Sequence, residues 1–130
     1  MKSEKGAFRA DVFDYAASNF GTQPEYLWAK FPDIAVLRAP SGKWFGIVMD
    51  VERAKLGLKG EGKVDILDVK CQPFAVEIFL QQQGFVPAYH LPKRTWVGAL
   101  LDGTADKGQI FDALDESFRL AETKKRKTKE

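Results

Sequence analysis

Three β-prone runs joined by connections of hairpin length constrain this chain more than any other feature. Ile34–Leu37 and Lys43–Val51 flank the turn sequence Ala39-Pro40-Ser41-Gly42, which reads as a two-strand hairpin. Glu52–Leu58 and glycines 57, 60 and 62 lead from the second run into a third, Val64–Lys70. Connections of hairpin length predict an antiparallel sheet. Strict alternation in Lys43–Val51 places Phe45, Ile47, Met49 and Val51 on one face, and Trp44, Gly46, Val48 and Asp50 on the other.

Helical spacing brackets the strands. Phe8, Val12, Tyr15, Ala16 and Phe20, followed by Gly21, predict a helix over 7–20. Pro73 suits the first turn of a second helix, whose apolar residues are Phe74, Val76, Ile78, Phe79 and Leu80, with Gly84 just past its end. Phe85–Tyr89 is extended and Trp96–Leu101 is a strand. A last helix over 105–121 carries Ile110, Phe111, Leu114, Phe118 and Ala121, with Thr104 as its N-cap and Asp106 at the positive end of its dipole. The order predicts an α+β fold, a two-layer domain in which N-terminal, central and C-terminal helices pack on an antiparallel sheet.

The 130 residues suit one domain over 1–123, and 12% aromatic content supplies a core without disulfides or a structural metal. Lys plus Arg is 20 against 18 Asp plus Glu, a net charge of +2. Five of the basic residues fall in Lys124–Glu130, a basic tail expected to be disordered or to extend the last helix. Removing that tail leaves 15 basic and 17 acidic residues, so the body carries a net charge of −2. The body therefore lacks the strongly basic balance usual in nucleic-acid-binding domains. The single cysteine, Cys71, excludes an intramolecular disulfide and points to a reducing compartment. Nothing near Met1 reads as a secretory signal, and Phe45-Gly46-Ile47-Val48-Met49 is too short to span a bilayer. The expected location is cytoplasmic, with no membrane association.

The chemical motifs are weak. Gly57–Val64 nearly matches GxxxxGK[ST], but Val64 has no hydroxyl for Mg²⁺ and the loop enters a strand, so it reads as a hairpin turn. Cys71 and His90, each unique, could form a nucleophile–base pair oriented by Asp68, yet a buried thiol is the simpler reading. Asp65 and Asp68 fall on opposite strand faces and make no paired-carboxylate site. One His and one Cys do not make a zinc site. The chain reads as non-catalytic, without metal or cofactor. Tyr89-His90-Leu91-Pro92-Lys93-Arg94-Thr95-Trp96 gathers stacking rings and phosphate-binding cations; alternatively, Tyr89 and Trp96 anchor the loop while Lys93 and Arg94 are solvated.

Phe31-Pro32-Asp33, Gly42-Lys43-Trp44-Phe45, Val64-Asp65-Ile66-Leu67, Lys70-Cys71-Gln72-Pro73, the Tyr89–Trp96 stretch and Ser117 in the last helix resemble the MmcQ/YjbR-like family across about 8–121. Gln72 departs from the acidic residue usual before the helix proline and implies a weaker N-cap. The resemblance implies a frataxin-like α+β fold, described as a double wing, and predicted DNA binding. Frataxin-type iron chemistry is not expected, because helix 7–20 has only Asp11 and Asp14 beside Arg9. The matching positions are Lys43, Trp44, Lys70, His90, Lys93 and Trp96. On a DNA-binding reading Lys43, Lys70, Lys93 and Arg94 contact phosphates, with Arg53, Lys55, Lys59 and Lys63 as second contacts and the tail as a non-specific anchor. His90 and the tryptophans then stack or hold the loop. The competing expectation is a protein- or small-ligand-binding domain that uses the loop around His90 and Trp96.

Overall fold

The computed structural model describes residues 6–122. The chain runs α1 (Arg9–Phe20), β1 (Ala35–Arg38), β2 (Trp44–Glu52), a short 3₁₀ turn (Arg53–Leu56), β3 (Lys63–Lys70), α2 (Pro73–Leu80), β4 (Phe85–Pro87), β5 (Trp96–Leu100) and α3 (Lys107–Glu122). The strands form one antiparallel sheet in the order β1-β2-β3-β5-β4. The three helices pack on one sheet face, which completes the expected α+β architecture. The tail, 124–130, lies outside the described residues.

α3 supplies the central stripe of the core. Ile110, Ala113, Leu114, Ser117 and Ala121 recur every three or four residues and are all buried. Full burial of a side chain such as Leu114 or Ile110 contributes about 1.5–3 kcal/mol. Asp106, rather than Thr104, caps this helix: its carboxylate accepts from the Gln109 N–H at 3.1 Å, while Thr104 donates to Asp102 at 2.6 Å. α1 ends in Gly21 with φ +66°, as its sequence predicts. Gln72 precedes Pro73 without a side-chain capping bond, in line with its departure from the family pattern.

Three further expectations are corrected. α2 stops at Leu80, and Gly84 instead turns the chain against Ala105. Ala75, Val76 and Phe79 of α2 pack against the core, whereas Phe74 and Ile78 point outward. The face assignment of β2 also slips. Leu37 pairs with Gly46 and Arg38 with Trp44, which leaves Phe45 as the extra residue of a β-bulge. Phe45 therefore joins the helix-side core, and Trp44 shares the opposite face with Ile47, Met49 and Val51.

Aromatic packing accounts for the bulge. Phe45 meets Phe20 and Phe118 edge-on at 5.4 and 5.0 Å, and those two rings stack at 4.2 Å. Gly46 makes room, because a Cβ there would stand 3.0 Å from Leu37 Cδ1. The β2–β3 ladder runs only as far as Gly46↔Val69. Beyond it the buried Ser117 hydroxyl donates to the Phe45 carbonyl at 2.6 Å and accepts the Lys70 N–H at 2.9 Å. On the outer edge, Glu25 pairs with Val36 of β1 through two backbone bonds of 2.9 and 2.8 Å.

Candidate functional site

Strand direction decides which cations meet. β2 begins at Trp44, β3 ends at Lys70 and β5 begins at Trp96, and Lys70 pairs with Trp96. Lys43, Lys70, Lys93 and Arg94 therefore converge at one end of the sheet, although they are far apart in the chain. Lys43, Lys93 and Arg94 are exposed; Lys70 is half-buried, its ammonium 6.0 Å from the Trp96 ring centre. Trp96 itself is buried at 8% exposure and serves as a packed anchor. The C-terminal end of α3 is at the same sheet end, where Ser41 Oγ donates to the Ala121 carbonyl at 2.8 Å.

The second-contact candidates are not part of this group. Arg53, Lys55, Lys59 and Lys63 follow the end of β2 or precede and open β3, at the opposite end of the sheet. Two of them are engaged there, Arg53 with Asp102 at 3.6 Å and Lys63 with Asp50 at 3.7 Å. Their hairpin is a Gly-rich turn with positive φ at residues 57, 60 and 62.

The sheet face away from the helices carries a groove of about 760 Å³. Ile47, Met49 and Val51 line it from β2, and the segment Trp28–Ile34 and the loop Tyr89–Leu91 border it. Trp28 meets Trp44 edge-on at 5.9 Å, and the Tyr89 and His90 rings lie 4.1 Å apart. His90 has φ +66° and is the one non-glycine residue among those described in the left-handed region. Strain of this kind, of order 1–3 kcal/mol, persists where surrounding structure fixes it and concentrates at functional sites. The groove brings together Trp44 and His90 from the expected set, with the second-contact candidates Lys55 and Lys63, but excludes Trp96 and all four sheet-end cations. Trp28, which sequence reasoning missed, could have been flagged by the aromatic run Tyr26-Leu27-Trp28 in a Pro-bounded loop.

Asp65 and Asp68 separate as their spacing predicts. Asp65 faces α1 and holds the Arg9 guanidinium through two bonds of 3.0 and 3.2 Å. Asp68 is fully buried on the groove side beneath the Tyr89–Lys93 loop, with no hydrogen-bond partner for either oxygen. Burial pushes its pKa up to about 8, outweighing the Tyr89 backbone and the Lys93 charge, which favour the carboxylate. Cys71 packs in the helix-side core, where burial raises its thiol to about 11, so it does not join His90. Among the described residues no three His, Cys, Asp or Glu side chains form a metal-ligand cluster. None of their helices is long and apolar enough to cross a membrane.

Known proteins resemble this chain in sequence and fold. An uncharacterised Bacillus subtilis (strain 168) protein, YyaQ, is 38% identical over 113 residues, covering 86% of this chain and 96% of the relative. A crystal structure of a Pseudomonas syringae protein superposes with a TM-score of 0.83 at 37% identity, over 87% of this chain and 97% of that one. A Deinococcus radiodurans protein shares the fold at a TM-score of 0.69 and 17% identity, over 98% of this chain and 87% of that one. The YjbR family matches residues 17–120, from α1 to the last turns of α3. With all five strands, α2, most of α3 and the Lys43-to-Trp96 positions inside that span, the chain belongs to the YjbR family.

Proposed function

We propose that this YjbR protein binds DNA without catalysing a reaction on it, gripping the phosphate backbone from one end of its sheet. The observation that carries this reading is the convergence of Lys43, Lys70, Lys93 and Arg94 at the shared end of β2, β3 and β5. Three of these are solvent-exposed and free to replace counterions along a polyanion. The tail adds five cations in sequence. A near-neutral body then contributes through the placement of its cations rather than their total. A second reading, small-ligand or protein binding, is supported by the groove beside His90.

Binding to a duplex across a salt series tests the first reading. Every cation withdrawn from a phosphate should flatten the slope of log K against log salt by about 0.9. Joint replacement of Lys43, Lys93 and Arg94 by Gln should therefore flatten it by nearly three and weaken binding at low salt. Replacing the five tail cations by Gln in the full chain should leave the body's share. Binding that vanishes with the tail charges alone would defeat the sheet-end interface.

A further inference from the structure

We infer that the groove on the helix-free sheet face is a nucleobase site, a slot for a planar heteroaromatic ring beside the phosphate-binding end. This rests on the DNA-binding reading only for the source of the base. The slot has the shape and surface a base requires. Its floor is apolar, formed by Ile47 and Met49, and aromatic rings stand on both sides, Trp28 with Trp44 and Tyr89 with His90. Its volume, about 760 Å³, falls in the range of small-molecule sites.

The charge on the rim points to a neutral ring with mixed hydrogen-bonding edges. Lys30, Lys55 and Lys63 are balanced by Asp33, Asp50 and Glu52, so donors and acceptors are both at hand and no net charge selects an ion. A base has such an edge and a stackable face. Position supports it as well. Trp44 lines the groove and follows Lys43 directly, while His90 lines it three residues before Lys93. A backbone held at the sheet end thus has an aromatic slot close beside its phosphate contacts. His90 is held in the left-handed conformation at this place, so the loop's packing fixes its ring there against the backbone preference.

The base could belong to an unpaired strand or to a free nucleotide, and one experiment separates them. A single-stranded 12-mer, the same strand in duplex, and dAMP with dTMP are titrated while tryptophan fluorescence is read. Two variants remove groove walls without threatening the fold: Trp28→Ala at a partly exposed loop position, and His90→Gly, which also relieves the positive φ. Single strand binding about tenfold tighter than duplex, with that preference lost in both variants, is the expected result. Saturable quenching by the mononucleotides alone, lost in the same variants, keeps the nucleobase site and assigns it to free nucleotides. Equal affinity for single strand and duplex, unchanged in both variants and without mononucleotide quenching, overturns the slot while the sheet-end reading stands. No binding of any probe overturns both.

Discussion

Replacing Ser117 by alanine should lower the unfolding free energy by about 3 kcal/mol, read as a drop in the urea midpoint without a change in slope. The hydroxyl joins two backbone groups at the point where the β2–β3 ladder stops, donating to the Phe45 carbonyl and accepting the Lys70 N–H. Alanine leaves both without that partner in a site where Ser117 is fully buried, and each unpaired buried group costs about 1–3 kcal/mol. A cavity-only effect predicts much less, because one oxygen is removed. Ser117→Thr separates the two accounts: it keeps the hydroxyl and should recover part of the loss. A Ser117→Ala midpoint within error of the parent would show that the bulge closes without its bridge.

That bridge also marks the limit of what the sequence reveals. The hairpin at 39–42, the three helices and the placement of Asp65 and Asp68 on opposite sheet faces follow from local rules of spacing and turn chemistry. The bulge does not. Gly46 and Val48 are apolar or side-chain-free, and so are Phe45, Ile47 and Met49, because β2 is buried on both faces. With both faces apolar, alternation carries no mark of an inserted residue, and Phe45 reads onto the wrong side. The candidate site has the same character. Lys43, Lys70, Lys93 and Arg94 are visible individually, but their meeting depends on β5 returning to lie beside β3. No short-range pattern encodes that pairing. Asp68 is legible as a face assignment, while its complete burial depends on the loop that covers it.

Asp68→Asn should stabilise the protein at alkaline pH by roughly 3 kcal/mol and have little effect near pH 4. The folded state holds the Asp68 proton up to about pH 8, whereas the unfolded chain releases it near 3.8. Between those values unfolding releases a proton, so this residue's favourable contribution is complete below about 3.8 and is lost as pH rises to about 8. The span from 3.8 to about 8 at about 1.36 kcal/mol per pH unit gives an upper bound of about 6 kcal/mol, and the unpaired amide of asparagine offsets part of the gain. Gly98 leaves the space this isosteric change needs, since a Cβ there would stand 3.0 Å from Asp68 Oδ1. Parent and variant compared by urea unfolding at about pH 4 and pH 8.5 isolate the residue, because the other titrating groups cancel. A difference that does not grow with pH would mean that Asp68 ionises normally, held by Lys93.

The pairing of Glu25 with Val36 has a consequence for assembly. It occupies backbone groups along the outside of β1, and Arg38 reinforces it through an ion pair to Glu25 at 3.0 Å. The other border, β4, is three residues long and ends in Pro87, which has no N–H to offer. Neither border presents a long row of open backbone groups, so extended peptides and neighbouring copies have little template on which to add a strand. The proposed recognition surfaces, the groove face and the cationic end, accordingly work through side chains rather than through an open strand edge.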